Sequence, residues 1–264
     1  MENSSDKKKI IVSLTSFPFA ISYAEQAIYS ILNGTILPDK IVLYITLSRF
    51  EDNGIPQGLL KLSNENPIFE IRDYNPDIRS YQKLIPALND FPNDVIVTID
   101  DDIFYHKNML HDLIRLHKRL PNAIIAHRVR KILLNKPYSK WRKYKWYHFI
   151  FKRHIFKFSS LLTGVGGVLY PPNSLDTNML DSALFSKIAP TNDDIWFWAM
   201  AVMAGTPINI VKNNHKQLIY VNPERELKLT DELVLTRTNT IGGDNDRKIQ
   251  QVISSYPQIM DRLK

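Results

Sequence analysis

The sequence predicts an α/β fold with a largely parallel central sheet. Short apolar strands alternate with segments of helical spacing through the first half of the chain. Residues 95–99 (Val-Ile-Val-Thr-Ile) carry no charge, which is typical of a central strand covered on both faces. Asp100, Asp101 and Asp102, here called the acidic triplet, follow this strand at the end where open α/β sheets hold their ligands.

The predicted elements follow one another in βα order. The chain opens with a βαβ unit: a strand at 10–14, a helix that ends at Asn33-Gly34, and a strand at 40–47. Further strands are predicted at 68–71, 95–99, 123–126 and 208–211. Further helices are predicted at 81–88, 109–120 and 193–204, with an amphipathic tail from Asp244 to Pro257.

Size and composition narrow the class of protein. The chain has 264 residues, of which 44% are hydrophobic and 23% charged, as in an ordinary folded domain. It contains no cysteine, which excludes disulfides and thiolate metal sites. No apolar run approaches the roughly 20 residues of a membrane span, and the first residues lack the apolar core of a signal peptide. A cytoplasmic location is therefore expected.

The net charge of +7 is unevenly distributed. No acidic residue occurs between Asp112 and Asp176, whereas residues 128–158 combine Lys and Arg with many aromatic side chains. Such a segment suits nucleic acid, an anionic lipid surface or a phosphorylated substrate, and composition does not choose among the three.

The acidic triplet has a functional and a structural interpretation. Three adjacent negative charges repel one another, and a bound cation is the simplest way to offset that repulsion. The alternative is a solvated acidic turn in which one aspartate caps the next helix.

Two further motifs follow the acidic triplet along the chain. Thr163-Gly164-Val165-Gly166-Gly167 is a glycine-rich segment, and Asp193 and Asp194, here called the acidic pair, open an apolar helix. Together with the βαβ start and the Asp-x-Asp, this order resembles the GT-A fold glycosyltransferases that use nucleotide-diphospho-sugars. The resemblance is strongest to bacterial enzymes of capsule and lipopolysaccharide synthesis, and it extends from Val12-Ser13-Leu14-Thr15-Ser16-Phe17-Pro18 to Asn245-Asp246.

The resemblance implies a metal-dependent donor site on a single GT-A-like domain, residues 1–264. Residues 1–126 would bind the nucleotide-sugar and 127–264 the acceptor. Asp102 matches the residue that holds a Mn²⁺ or Mg²⁺ ion, and Asp100 the residue nearer to the ribose or the metal. The resemblance leaves the role of Asp101 open. One alternative is that its side chain faces the donor sugar.

The resemblance also implies a general base. One carboxylate of the acidic pair would take the proton of the acceptor hydroxyl in an inverting reaction, and Asp194 matches that position better than Asp193. The alternative is that both aspartates only favour the first turn of the helix.

The resemblance implies further site residues around the ends of the predicted strands. Lys83 would reach a phosphate or, alternatively, be a solvated helix lysine. The glycine segment would lie beneath donor and acceptor or form an ordinary turn between strands. His215 is a candidate third metal ligand, although most single histidines fill surface or core. The remaining expected donor-binding residues are Thr15, Ser16, Phe17, Asp73, Gly166 and Gly167.

The expected function is transfer of a hexosyl group from a nucleotide-diphospho-sugar to a glycan or lipid-linked glycan. Segment 128–158 would then dock on the inner, anionic face of the cell membrane. The alternative is a solvated basic face with a few of its aromatic side chains in the core. One rival is a non-catalytic protein that uses this segment to bind nucleic acid or membrane, although no RNA-binding motif is visible. Another is a sugar nucleotidyltransferase, which should show a Gly-rich loop after the first strand. Leu14-Thr15-Ser16-Phe17-Pro18 is not such a loop.

Overall fold

The computed structural model describes five ranges of the chain: residues 8–50, 54–143, 158–212, 218–224 and 243–263.

A seven-stranded sheet forms the centre of the molecule, in the order β11-β6-β10-β4-β1-β2-β3. Four strand pairs are parallel (β1 with β2 and β4, β2 with β3, β6 with β11), and β10 is antiparallel to both of its neighbours. The strands are β1 (Ile10–Thr15), β2 (Lys40–Ile45), β3 (Phe69–Asp73), β4 (Val95–Thr98), β6 (Ile124–Ala126), β10 (Val168–Tyr170) and β11 (Ile208–Ile210).

Two small sheets lie beside the central one. One pairs β5 (Ile103–Phe104) with β12 (Ile219–Tyr220) immediately after the acidic triplet. The other joins β7 (Val129–Lys131), β8 (Arg142–Lys143) and β9 (Ser160–Leu162).

Eight α-helices are described. They are α1 (Ile21–Leu32), α2 (Gln57–Glu65), α3 (Ile85–Asp90), α4 (Met109–His117), α5 (Ser182–Ile188), α6 (Asp193–Ala204), α7 (Asp244–Ser255) and α8 (Gln258–Leu263).

The sheet separates two hydrophobic cores. Successive residues of a strand point to opposite faces, so Ile96 packs into the core that contains α6, whereas Val97 packs into the core that contains α1 and α4. Helix α6 is apolar around almost its whole circumference, and both Trp196 and Trp198 are fully buried. This burial fixes the axis of the helix, and therefore the place where its first turn reaches the sheet edge.

The predicted α/β class and the mostly parallel sheet are confirmed. The predicted helix at 81–88 differs in detail: residues Arg79–Lys83 form a 3-10 turn, and α3 begins only at Ile85, with Pro86 in its first turn. Proline suits that position because its missing N–H would have no partner there. Helices α2, α5 and α8 lie outside the predicted elements.

Two expectations concern a membrane, namely the lack of a spanning helix and the docking of segment 128–158. No helix within the described ranges combines the length and the apolar character that crossing a bilayer requires. Residues 144–157 of the basic aromatic segment lie outside the described residues, as does His215.

Candidate functional site

The carboxyl ends of β1 and β4 lie side by side and bring Ser16 to the acidic triplet. The two strands are parallel, with Ser13 opposite Thr98. Three residues further along each strand, the Ser16 hydroxyl donates a hydrogen bond to Asp101 Oδ2. Two segments that are 85 residues apart in sequence therefore meet at the predicted donor site.

The acidic triplet is electrostatically crowded. Burial raises the pKa of Asp101 to about 8, and the negative charge of Asp102 adds to that effect. The hydrogen bond from Ser16 opposes the shift without cancelling it. Any cation that approached Asp101 and Asp102 would favour their charged forms, as expected of carboxylates at a hard-metal site.

The donor set of the acidic triplet fits Mn²⁺ or Mg²⁺. In the described part of the chain, no three carboxylate or imidazole side chains are grouped around one point. Mg²⁺, however, is usually held by only one or two protein carboxylates, with substrate phosphates and water completing its coordination. The carboxylates of Asp101 and Asp102 meet that requirement.

Lys83 joins the acidic triplet to the acidic pair. Its Nζ lies 2.7 Å from Asp100 Oδ1 and 2.9 Å from Asp193 Oδ2. The side chain is buried, and Asp100 and Asp193 hold the pKa of Lys83 well above its ordinary value against the opposing effect of burial. The interpretation of Lys83 as a solvated helix lysine is therefore wrong, because its ammonium group is enclosed between two carboxylates. A contact with a donor phosphate remains a prediction.

Asp194 is held by the glycine segment rather than by Lys83. The backbone N–H of Gly164 donates to Asp194 Oδ1 at 2.8 Å. A β-carbon at position 164 would lie 2.6 Å from Lys83 Nζ and 3.2 Å from Asp194 Oδ1. The absence of a side chain at Gly164 lets the backbone approach both groups.

The environment of Asp194 suits proton transfer near neutral pH. Burial and the neighbouring charge of Asp193 raise the pKa of Asp194 to about 7, although Lys83 lowers it in part. A carboxylate with such a pKa is a stronger base than an ordinary aspartate, and it takes up and releases its proton near neutral pH.

Tyr105 links the acidic triplet to the glycine segment. The backbone N–H of Asp100 donates to the Tyr105 hydroxyl at 2.8 Å, and that hydroxyl donates to the carbonyl oxygen of Val165 at 3.3 Å. Burial raises the pKa of Tyr105, so the phenol stays protonated and remains able to donate. This one hydroxyl therefore fixes the spacing of two loops.

Asp73 lies at the end of β3, where its carboxylate is hydrogen-bonded to nearby residues. Its carboxylate accepts hydrogen bonds from Leu47 N at 2.9 Å and from the Asn75 side chain at 3.0 Å. The side chain is exposed at the same edge of the sheet as the acidic triplet. A contact with the donor remains a prediction.

The other predicted donor-binding residues lie on either side of the same region. Thr15 is the last residue of β1, and the carbonyl of Phe17 accepts the N–H groups of Ala20 and Ile21 where α1 begins. Gly166 and Gly167 belong to the turn between β9 and β10, and Gly167 has a φ of 88°, which favours glycine. The glycine segment is therefore a turn between strands that contacts the acidic pair through Gly164. Its predicted place beneath donor and acceptor remains a prediction.

Sequence reasoning missed three contributors to this site: Gly164 as the partner of Asp194, Tyr105 as a link between loops, and the two-carboxylate environment of Lys83. The hydrophobic periodicity of the sequence does not show that a lysine and a tyrosine are buried next to the acidic triplet. A partial signal was available, because Tyr105 and Lys83 lie on either side of the uncharged run 95–99 in the sequence.

Comparison with known proteins gives no assignment. No protein-family model matches the chain, and no curated protein matches its sequence. The chemistry of the site therefore carries the functional conclusion.

Proposed function

We propose that the chain is a metal-dependent glycosyltransferase that moves a hexosyl group from a nucleoside-diphosphate donor to a hydroxyl of a bacterial surface glycan, with inversion. The main support is the pair of contacts made by Lys83, whose ammonium group touches both Asp100 and Asp193. The acidic triplet and the acidic pair are thereby parts of one site. A transferase needs this arrangement, because donor and acceptor must react within a few ångströms of each other.

The acidic triplet would bind the donor. Asp102 would hold the metal ion, with Asp101 as its second ligand in place of the predicted Asp100. Asp100 pairs with Lys83 and would border the ribose. A bound Mn²⁺ or Mg²⁺ would supply charge stabilisation to the diphosphate as it leaves. Ser16 would keep Asp101 oriented through its hydrogen bond.

The acidic pair would act on the acceptor. Asp194 would take the proton of the acceptor hydroxyl while the oxygen forms a bond to the anomeric carbon. The bond from that carbon to the diphosphate breaks at the same time, and the nucleoside diphosphate leaves with the bonding electrons. The hydrogen bond from Gly164 orients the Asp194 carboxylate for this step.

The distribution of charge along the chain supports the proposed class of acceptor. Residues 113–175 contain no aspartate or glutamate, so this part of the chain would favour an acceptor carried on a diphosphate lipid at an anionic membrane surface. Asp194 would act in the same way on the hydroxyl of a glycan acceptor that carries no lipid.

A panel of nucleotide-sugars tests the proposal. The chain is incubated with UDP-, GDP-, dTDP- and ADP-hexoses and Mn²⁺, and release of nucleoside diphosphate is measured with and without excess EDTA. We expect slow hydrolysis of one donor class that EDTA abolishes and that Asp102→Ala reduces by about 10²-fold or more. Glu65→Ala, which removes an exposed ion pair with Lys61 at the end of α2, serves as the control and should retain activity.

Two results would overturn the proposal. One is that no donor in the panel is bound or hydrolysed with any divalent metal. The other is that wild-type hydrolysis proceeds at the same rate in EDTA. Release of pyrophosphate from a nucleoside triphosphate and a sugar phosphate would favour the nucleotidyltransferase alternative instead.

A further inference from the structure

A buried polar cluster joins α7 to the segment that precedes the acidic pair. Asp244, Asn245 and Lys248 lie on one face of α7 and are 9%, 2% and 1% exposed, respectively. They face Thr191 and Asn192, which come immediately before Asp193. Polar side chains this deeply buried are costly unless they are hydrogen-bonded, so their partners are informative.

Asn192 connects the two helices with one side chain. Its Oδ1 accepts the backbone N–H of Ile195 at 3.0 Å and thereby caps the first turn of α6. Its Nδ2 donates to Asn245 Oδ1 at 2.6 Å. The rotamer of the cap is therefore set by a residue of α7 that lies 53 positions further along the chain.

Lys248 makes a second connection between α7 and the same segment. Its ammonium group donates to the Thr191 hydroxyl and forms an ion pair with Asp244. The Thr191 hydroxyl in turn faces Asp244 Oδ2 at 3.4 Å. A well-packed apolar residue in place of a buried lysine is often neutral or stabilising, so stability alone does not account for this side chain.

The opposite side of the segment is held by Tyr81. Its hydroxyl lies 2.5 Å from the carbonyl oxygen of Ala189 and 3.3 Å from that of Asn192. Tyr81 belongs to the same 3-10 turn as Lys83. Residues 189–192 are therefore held between α7 and the turn that carries the central lysine.

We propose that Asn245 and Lys248 are positioning residues for the acidic pair, acting through Asn192 and Thr191. This inference rests on the proposed function of Asp194 as the base. A displacement of a reacting group by about 1 Å can cost on the order of 10²-fold in rate. Loss of the Asn245 contact should therefore lower kcat while leaving binding at the acidic triplet unchanged.

Two independent readouts test the positioning role. Asn245→Leu keeps the size of the side chain and removes the acceptor of the Asn192 hydrogen bond. Hydrogen–deuterium exchange should become faster at the backbone amides of residues 193–196 and stay unchanged in α1. The turnover number should fall about 10- to 100-fold while the dissociation constant of the donor changes less than twofold.

Matched variants separate positioning from general destabilisation. Gln251→Leu places the same side chain on the exposed face of α7 and should change neither readout. Thr191→Val should slow turnover, and Thr191→Ser should restore it, since serine keeps the hydroxyl that Lys248 contacts.

The outcomes for the positioning role of Asn245 and for the proposed function are distinguishable. Unchanged exchange at 193–196 in Asn245→Leu, or faster exchange with unchanged turnover, overturns the positioning role. Absence of transferase activity in the wild-type chain would contradict the proposed function. The exchange experiment would still decide whether α7 holds the acidic pair in place.

Discussion

Gly164 donates its backbone N–H to Asp194 Oδ1 across 2.8 Å, and thereby holds the candidate base from a loop 30 residues earlier in the chain. The same glycine lies against Lys83, so that any β-carbon there would be 2.6 Å from the ammonium nitrogen. Gly164, which has no side chain, therefore allows Lys83 and Asp194 to lie on either side of the same backbone segment.

Gly164→Ala should disrupt the site more than the fold. The added methyl group must displace Lys83 Nζ, which ion pairs with Asp100 and Asp193 restrain. We expect transfer to fall by about 10²-fold or more, since misplacement by 1 Å is enough for such a loss. Gly58→Ala in α2 is the control, because there the atoms nearest to the methyl group belong to the end of the Glu25 side chain, outside the candidate site. Equal turnover in the two variants would show that space at position 164 is not needed.

Lys83→Met should destabilise the protein by about 3–5 kcal/mol, because it leaves Asp100 and Asp193 without their shared cation. Chemical denaturation measures the loss. Adding Asp193→Asn to Lys83→Met should recover part of it, since one unpaired charge is then removed. A Lys83→Met variant as stable as the wild type would contradict the bridging role of the lysine.

The pH dependence of stability should reveal the raised pKa of Asp194. Folding raises this pKa from an ordinary value near 4 to about 7, so between these limits the folded state binds more protons than the unfolded state. The free energy of unfolding contributed by Asp194 therefore falls as pH rises from about 4 to about 7.

Comparison with an uncharged side chain isolates this effect. Both variants are measured in EDTA. The free energy of unfolding of the wild type minus that of Asp194→Asn should decrease as the pH rises from about 4 to about 7. A difference that stays constant from pH 4 to 7 would mean that Asp194 has an ordinary pKa.

The strands of the central sheet were predictable because their signal is local. Uncharged runs such as 95–99 bury both faces, and the strands at 10–15 and 40–45 surround a helix with clear apolar spacing. Strand β10 was different: it follows a glycine turn and enters the sheet antiparallel, between β4 and β6. Its direction depends on how the chain returns from the small sheet β7-β8-β9, which no local pattern encodes.

The site was predictable in its acidic residues but not in their partners. Asp100 to Asp102 and the acidic pair were visible as runs of charge next to apolar elements. The contacts that orient them connect distant positions: Ser16 with Asp101, Gly164 with Asp194, and Asn192 with Asn245. Each depends on the register of neighbouring strands or on the packing of helices, so each required the folded chain.

Asp194→Asn tests the central claim most directly. The substitution keeps the shape of the side chain and an oxygen that can accept the Gly164 N–H, but it removes the basic carboxylate. Turnover of sugar transfer should fall by roughly 10²–10⁴, while calorimetry should give a donor dissociation constant within twofold of the wild type. Asp112→Asn, measured in parallel, should leave turnover unchanged. Wild-type turnover in Asp194→Asn would contradict the assignment of Asp194 as the base, and wild-type turnover in both Asp193→Asn and Asp194→Asn would reduce the acidic pair to a feature of the helix end.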